Sequence, residues 1–122
     1  GIDFTARDLQ SELKKAGLPW EKAKGFDGAT LIGNKWLDKS KIENLKNLNF
    51  KLQRNSEVVQ SGNTSEMLWE IDEIIAYVSQ FFTLKIGDVI FTGTPSGVGK
   101  VEAKDVLKGF IKDEQMFSVN VK

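Results

Sequence analysis

The segment from Phe91 to Gly99 constrains the fold of this chain more than any other feature. Its sequence, Phe-Thr-Gly-Thr-Pro-Ser-Gly-Val-Gly, places three glycines and a proline within nine residues, at the end of the strand-like run Asp88-Val-Ile-Phe91. Glycine allows backbone conformations and close approaches that a Cβ atom forbids, and proline fixes φ. The pattern predicts a strand over 88–92, followed by a tight loop that presents backbone amides and a threonine hydroxyl at one place.

The same segment does not match the phosphate-binding loop of nucleotide-binding enzymes. If Gly99 and Lys100 are the G-K pair of G-x-x-x-x-G-K-[ST], Thr94 stands where the first glycine is required. Val101 stands where the motif needs a hydroxyl for magnesium. A turn between two strands is therefore the simplest interpretation from these residues alone.

The absence of two residue types limits the chemistry open to the chain. The sequence contains no histidine and no cysteine, so it can form neither a Ser-His-Asp triad nor a thiolate zinc site. A general base must be a carboxylate, a lysine or a bound water. A metal must take oxygen ligands, as Mg²⁺, Mn²⁺ and Ca²⁺ do. The lack of disulfides is typical of a cytoplasmic protein.

Size and charge describe one globular domain, which we place at 1–122. Lysine plus arginine and aspartate plus glutamate each number 17 among the 122 residues. This balance gives no electrostatic reason to expect nucleic acid or an anionic membrane as a partner. No apolar run approaches the roughly 20 residues that cross a bilayer.

Apolar periodicity predicts two helices. The first spans 6–16, with Thr5 and Asp8 as a capping box. Its core stripe comprises Leu9, Leu13 and Ala16. The second has Asp72 as its N-cap. Its core stripe comprises Ile71, Ile74, Ile75, Val78, Phe81 and Phe82.

Alternating patterns predict strands over 48–53, 57–60, 106–111 and 116–121, and residues 1–4 end a further strand. Turns are expected at Asn55-Ser56 and Asp113-Glu114. The aromatic residues assigned to the core are Trp20, Trp36, Trp69, Phe81 and Phe82. These elements together indicate a β-rich α+β domain with two main helices.

Candidate functional residues lie around the first helix. Asp3 ends a strand and has no local structural task, which makes it a candidate metal ligand. Arg7 lies in the first helical turn, where the helix dipole disfavours a cation. This placement indicates a carboxylate partner, either Asp8 or Asp3 within the protein or a ligand. Gln10 shares the face of Arg7 and can bind a ligand or solvent.

Two further positions offer charge or hydroxyl groups. Lys22 and Lys24 both precede Gly25 and can approach a bound anion or lie in solvent, and the composition does not choose between them. Thr92 and Thr94 flank Gly93, so alternation would direct both hydroxyls to one face. Either hydroxyl can bind a carboxylate or close a turn.

Five segments, in this order, resemble the fumarylacetoacetate hydrolase superfamily. They are Asp3-Phe-Thr-Ala-Arg-Asp-Leu-Gln10, Gly17-Leu-Pro-Trp20, Lys24-Gly-Phe-Asp27, Gln60-Ser-Gly-Asn-Thr-Ser-Glu-Met67 and residues 83–99. They span nearly the whole chain, and their combination is specific although each segment alone is weak. The resemblance is strongest to the branch that contains acylpyruvases and 2-hydroxyhepta-2,4-diene-1,7-dioate isomerases.

The resemblance implies a mixed β-roll fold and a divalent metal, usually Mg²⁺, held by two glutamates and an aspartate. It maps Asp3 onto the metal-binding aspartate and Lys24, rather than Lys22, onto the site lysine. It maps Gln10 and Thr94 onto residues that contact the oxo-acid end of the substrate or its leaving enolate. Arg7 falls within the same motif, and the family makes a homodimer the expected assembly.

The family pattern also contains parts that this sequence lacks. The Glu-x-Glu pair of metal ligands and the Glu-His pair that activates water lie upstream of the aspartate motif in the family. The chain therefore looks like the C-terminal part of a longer catalytic domain. Relatives also often carry a proline within 28–33, where this chain has Gly-Ala-Thr-Leu-Ile-Gly, and this difference bears on substrate preference.

The implied activity is metal-dependent hydrolysis of a carbon–carbon bond in small 2,4-dioxo acids such as acylpyruvates. Magnesium would act as Lewis acid and Lys24 would stabilise the developing enolate. Isomerisation of an unsaturated dioate, or decarboxylation or tautomerisation of oxaloacetate, would use the same site. An inactive fold unit or binding module is the alternative of another class.

Overall fold

The computed structural model describes all residues from 1 to 122. They form two compact units, residues 1–33 and residues 34–122. No helix in either unit has the length and apolar character needed to cross a membrane. The α+β class predicted from the sequence is confirmed. Every strand pairing is antiparallel, and both sheets are open.

The first unit holds a two-stranded sheet and one helix. Strand β1 (Ile2–Asp3) pairs with β2 (Thr30–Leu31), helix α1 spans Arg7–Lys15, and a 3₁₀ turn covers Glu21–Ala23. Backbone bonds from Phe4 N to Ala29 O and from Ala6 N to Ala23 O tie the start of the chain to the segment after the helix. Ala23 and Ala29, whose backbone oxygens accept these bonds, are both buried.

Two predictions about α1 are wrong. Its N-cap residue is Ala6, without a side-chain cap, and the Thr5 hydroxyl accepts a hydrogen bond from Lys24. The predicted stripe of Leu9, Leu13 and Ala16 is not buried: Leu9 and Ala16 are exposed and Leu13 is half-buried. The one buried residue of the helix is the polar Gln10.

The second unit is built on a four-stranded sheet in the order β4-β3-β5-β6. The strands are β3 (Asn49–Arg54), β4 (Glu57–Asn63), β5 (Val106–Ile111) and β6 (Glu114–Asn120). The hairpin turn at Asn55-Ser56 is confirmed, with φ of 51° and 74°. Positive φ at both central residues is typical of a type I′ turn, which matches the twist of a hairpin.

Each outer pairing of this sheet contains a β-bulge. Along β4, Val59 is the extra residue, since Leu52 faces Gln60 while Gln53 faces Val58. Along β6, Met116 is the extra residue opposite the step from Gly109 to Phe110. A bulge breaks the in–out alternation of a strand, which explains why the neighbours Met116 and Phe117 are both buried beside the buried Leu107.

Helix α2 spans Ile71–Val78, and its cap differs from the prediction. Glu70, not Asp72, is the N-cap, and Glu73 accepts a hydrogen bond from the Glu70 backbone N–H. Phe81 and Phe82 lie beyond the helix and expose 66% and 67% of their surface. Trp20, Trp36 and Trp69 are exposed as well, so the assignment of the large aromatic residues to the core is wrong within this chain.

The predicted strand over 88–92 does not form. A strand requires a ladder of backbone hydrogen bonds to a neighbour, and these residues pair with none of the strands in the structure. The predicted loop that follows is present, with Gly93 and Gly97 at φ of 109° and 95°.

Candidate functional site

The first unit brings Asp3 and Lys24 into direct contact. Asp3 ends β1, and Lys24 directly follows the 3₁₀ turn Glu21–Ala23. The backbone hydrogen bond from Ala6 N to Ala23 O holds this turn next to the start of the chain. The Nζ atom of Lys24 lies 2.6 Å from Asp3 Oδ2 and donates to Thr5 Oγ1 at 2.9 Å. It also donates to the backbone oxygen of Phe4 at 3.3 Å. The lysine is thus fixed by three oxygens from the segment 3–5.

The geometry distinguishes the two candidate lysines. Lys24 exposes 28% of its side chain and forms the ion pair. Lys22 lies on the 3₁₀ turn and is exposed to solvent. The contact with Asp3 thus belongs to the lysine that the family motif selects.

Arg7 and Gln10 form a second polar pair on the first turns of α1. The Arg7 guanidinium donates to Gln10 Oε1 at 2.9 Å. The predicted ion pair with Asp8 or Asp3 is absent because Arg7 is directed along the helix toward Gln10. Gln10 is only 7% exposed, so the alternative of a solvated glutamine is wrong. Its buried carbonyl oxygen holds a cation at the positive end of the helix dipole.

Thr94 lies in the second unit, in the loop that follows residue 92. Its Oγ1 accepts a hydrogen bond from Gln60 Nε2 at 2.9 Å. The same amide nitrogen donates to the backbone oxygens of Pro95 at 3.0 Å and Ser96 at 3.5 Å. Residue-by-residue reasoning did not single out Gln60. The only signal was its place in the motif 60–67.

The sequence matches a known protein family over almost its whole length. Residues 1–121 match the family model described as fumarylacetoacetate (FAA) hydrolase, C-terminal. The chain belongs to the fumarylacetoacetate hydrolase family. The resemblance recognised from the motifs is thereby confirmed over almost the whole sequence.

Curated relatives of this fumarylacetoacetate hydrolase family chain include two oxaloacetate tautomerases. A mitochondrial one from Bos taurus is 46% identical over 90% of this chain and 49% of its own length. One from Escherichia coli (strain K12) is 44% identical over 87% of this chain and 48% of its own length. The chain spans about half the length of the curated relatives it matches.

A solved structure supports the fold assignment. The crystal structure of fumarylpyruvate hydrolase from Pseudomonas aeruginosa, in complex with Mn²⁺ and pyruvate, is 37% identical and has a TM-score of 0.87. The match covers 98% of this chain and 51% of that one. This likeness supports the use of a divalent metal within the family.

This chain supplies one candidate ligand for such a metal, not a complete set. No three carboxylates, histidines or cysteines come close enough together to hold an ion. Asp3 offers a hard carboxylate that is 43% exposed, with one oxygen engaged by Lys24. Octahedral Mg²⁺ or Mn²⁺ takes six oxygen ligands, so Asp3 can contribute to the shell but cannot complete it.

The second unit contains a depression of about 320 Å³. Its walls include Leu45, Trp69 and the exposed ion pair of Lys46 with Glu70. None of the candidate residues lines it. The depression therefore adds no residue to the candidate site.

Proposed function

We propose that this chain carries part of an active site for enolate chemistry on a small 2-oxo acid, with keto–enol tautomerisation of oxaloacetate as its reaction. The observation that carries the proposal is the fixed position of Lys24, 2.6 Å from Asp3, in a chain 44–46% identical to oxaloacetate tautomerases. Together the two residues supply a cation for an enolate oxygen and an anion for a metal.

Lys24 would stabilise the charge that develops during the reaction. Tautomerisation moves a proton between C3 and the C2 oxygen of the oxo acid, and the enolate in between carries its negative charge on the C2 oxygen. The Lys24 ammonium is held by oxygens of Asp3, Thr5 and Phe4, which engage its three hydrogens. It would meet the enolate oxygen by exchanging one of these bonds, the longest being the one to Phe4 O at 3.3 Å. A divalent cation bound in part by Asp3 would add Lewis-acid polarisation of the 2-oxo group.

The remaining candidates would bind and orient the substrate. Arg7 and Gln10 restrain each other, and together they offer donors for a carboxylate. Thr94 offers a hydroxyl that is hydrogen-bonded to Gln60. We therefore keep Lys24 and Thr94 as catalytic residues that also bind the substrate, Thr94 through its contact with the carboxylate. Gln10 and Arg7 remain substrate-binding residues, and Asp3 remains a metal ligand.

A second candidate is hydrolysis of an acylpyruvate or a related 2,4-dioxo acid. It is supported by the likeness to the P. aeruginosa fumarylpyruvate hydrolase, whose structure holds Mn²⁺ and pyruvate. Pyruvate enolate is the leaving group of such a hydrolysis, so Lys24 would have the same task. Oxaloacetate decarboxylation and dioate isomerisation are further reactions of the same class.

The experiment separates these reactions in the intact protein with Mg²⁺ or Mn²⁺. Enol-oxaloacetate absorbs in the ultraviolet, so its conversion to the keto form is followed directly, while released pyruvate is measured with a coupled dehydrogenase. Faster ketonisation without pyruvate supports tautomerisation. Pyruvate from an acylpyruvate supports hydrolysis, and pyruvate from oxaloacetate supports decarboxylation. Activity on none of these substrates would favour an inactive fold unit or binding module.

The proposal also includes the partners and the setting of the protein. The balanced charge of 17 basic and 17 acidic residues supports a small-molecule partner over nucleic acid or a membrane surface. A homodimer in the cytoplasm stays a prediction. Light scattering of the intact protein tests the homodimer. Fractionation of the cells that make the protein tests its location.

A further inference from the structure

The loop 93–97 lies tightly against strand β4 although it forms no regular structure. A Cβ atom on Gly97 would collide with the backbone oxygen of Val59, the extra residue of the β4 bulge. A Cβ atom on Gly62 would come within 3.0 Å of Pro95 Cβ. Two glycines, one on each side of the contact, therefore bring the loop and the strand together.

The Gln60 side chain adds a directional bond to this packing. Its amide group faces Thr94 Oγ1 and the backbone oxygens of Pro95 and Ser96. Backbone oxygens only accept hydrogen bonds, so the amide must present its NH₂ group to them rather than its oxygen. This orientation makes Gln60 the donor to Thr94 as well.

The direction of that bond decides what the Thr94 hydroxyl can do. A hydroxyl has one hydrogen to donate and two lone pairs that accept. When Gln60 donates to Thr94 Oγ1, the bond uses a lone pair and leaves the hydroxyl hydrogen for another acceptor. A carboxylate accepts only, so the hydroxyl is set in the form that an oxo acid requires.

We propose that Gln60 is a positioning residue that fixes the Thr94 hydroxyl as a hydrogen-bond donor to the carboxylate of the oxo acid. The inference rests on the proposed function for the identity of the ligand. It assigns to Gln60 no contact with the substrate and no part in proton transfer. Its effect on the ligand would pass through Thr94 Oγ1, while its bonds to Pro95 and Ser96 hold the same loop in place.

A double-mutant cycle in the intact protein tests this coupling. Gln60→Leu removes the donor and Thr94→Val removes the hydroxyl at nearly constant shape. Each change should raise KM about tenfold and leave kcat within about twofold, because the carboxylate is bound alike in the ground and transition states. The double variant should also show about a tenfold rise, since Gln60 has nothing left to orient.

Two further variants guard against a merely structural effect. Gln60→Glu keeps the size of the side chain, but its carboxylate accepts the Thr94 hydrogen, so KM should rise at least as much as in Gln60→Leu. Gln53→Leu on the neighbouring strand β3 is the matched control, and its KM should equal that of the wild type. Additive effects, with about a hundredfold rise in the double variant, or an unchanged KM in Gln60→Glu would overturn the proposal.

Pyruvate binding gives a readout that does not depend on turnover. NMR titration with pyruvate and Mg²⁺ should show about tenfold weaker binding in both single variants. The Gln60 side-chain amide signal should shift in Thr94→Val and stay unchanged in Thr92→Val. If these results hold while no oxo acid is turned over, the proposed function fails and the inference stands. A wild type that does not bind pyruvate, or equal binding in all variants, refutes the inference.

Discussion

The Nζ atom of Lys24 lies 2.6 Å from Oδ2 of Asp3, the carboxylate that we propose as a metal ligand. The ammonium group therefore offsets the negative charge of Asp3. A divalent cation that uses Asp3 must compete with this ion pair or share the carboxylate with it. If Asp3 is a metal ligand and Lys24 meets an enolate, as proposed, the ion pair between them would oppose metal binding.

Replacing Lys24 with methionine should change metal affinity and turnover in opposite directions. Loss of the competing ammonium should tighten Mn²⁺ binding to the intact protein by about two- to fivefold, the scale of a partly exposed ion pair. Loss of the cation near the enolate should lower kcat about a hundredfold. Calorimetry measures the first effect, and the assay for oxaloacetate ketonisation measures the second.

Lys22→Met is the control for this prediction, since Lys22 lies two residues earlier and is exposed. It should leave both quantities unchanged. Weaker Mn²⁺ binding in Lys24→Met would show that the lysine supports the metal site instead of competing with it. Unchanged turnover would remove Lys24 from the mechanism.

Asp3→Asn should weaken Mn²⁺ or Mg²⁺ binding at least tenfold. The amide is nearly the same size as the carboxylate but carries no charge, and hard divalent cations favour carboxylate oxygens. The measurement is calorimetric titration of the intact protein, with Asp8→Asn as the control on the exposed first turn of α1. Equal metal affinity in Asp3→Asn and the wild type would refute the assignment of Asp3 as a ligand.

Gly97→Ala should lift the loop 93–97 from strand β4. The new Cβ atom would meet the Val59 backbone oxygen, and φ of +95° at this position is costly for any residue with a side chain. We expect a loss of about 1–3 kcal/mol in unfolding free energy and a higher KM for oxo acids. Urea unfolding and steady-state kinetics measure the two effects.

Gly99→Ala is the matched control for the loop, because nothing lies within 4 Å of the Cβ position at Gly99. Its φ is not in the positive region. Stability and KM should therefore stay at the wild-type level. If both alanine variants behave alike, the contact of the loop with β4 has no part in positioning Thr94.

Local patterns predicted the elements whose stabilising contacts are close in sequence. The Asn55-Ser56 hairpin joins β3 to β4 and needs only its turn and two alternating strands. Strand β5 was predicted with its observed bounds of Val106–Ile111. In these places, side-chain alternation and turn chemistry favour one structure.

Predictions failed where a side chain's environment depends on residues that are distant in the sequence. Phe81 and Phe82 fit a helical core stripe by spacing, yet α2 ends at Val78 and both rings are exposed. Thr5 fits a helix cap, yet its hydroxyl serves Lys24, which is 19 residues away. Periodicity reports which residues share a face. It does not report what covers that face.

The candidate site shows the same division between motif and contact. Motif positions selected Asp3 and Lys24, and the structure shows the ion pair between them. Gln60 carried no chemical signal of its own, because its contacts are to a loop more than thirty residues later. Such roles become visible only when the fold brings distant segments together.

The last prediction concerns stability in acid and the link between Asp105 and the hairpin turn. Hydrogen bonds from the Glu102 backbone N–H and the Asn55 side chain lower the pKa of Asp105 below its ordinary value. A group whose folded-state pKa is lowered contributes stability above its ordinary pKa. That contribution is lost as the pH falls through the folded-state pKa. Asp105→Asn should therefore lower stability at neutral pH and flatten its decline in acid.

Urea unfolding of the intact protein between neutral pH and pH about 3 measures this difference, on the acidic side where carboxylates titrate. Asp113→Asn is the control, because that side chain is fully exposed and its contact with Lys51 is long at 3.9 Å. The two stability curves of Asp105→Asn and the wild type should converge as the pH falls. Protonation of Asp105 removes the negative charge that strengthens the hydrogen bonds it accepts from Asn55 and Glu102. Parallel curves would mean that Asp105 contributes through shape alone, and that the charge on its carboxylate does not support the bonds to Asn55 and Glu102.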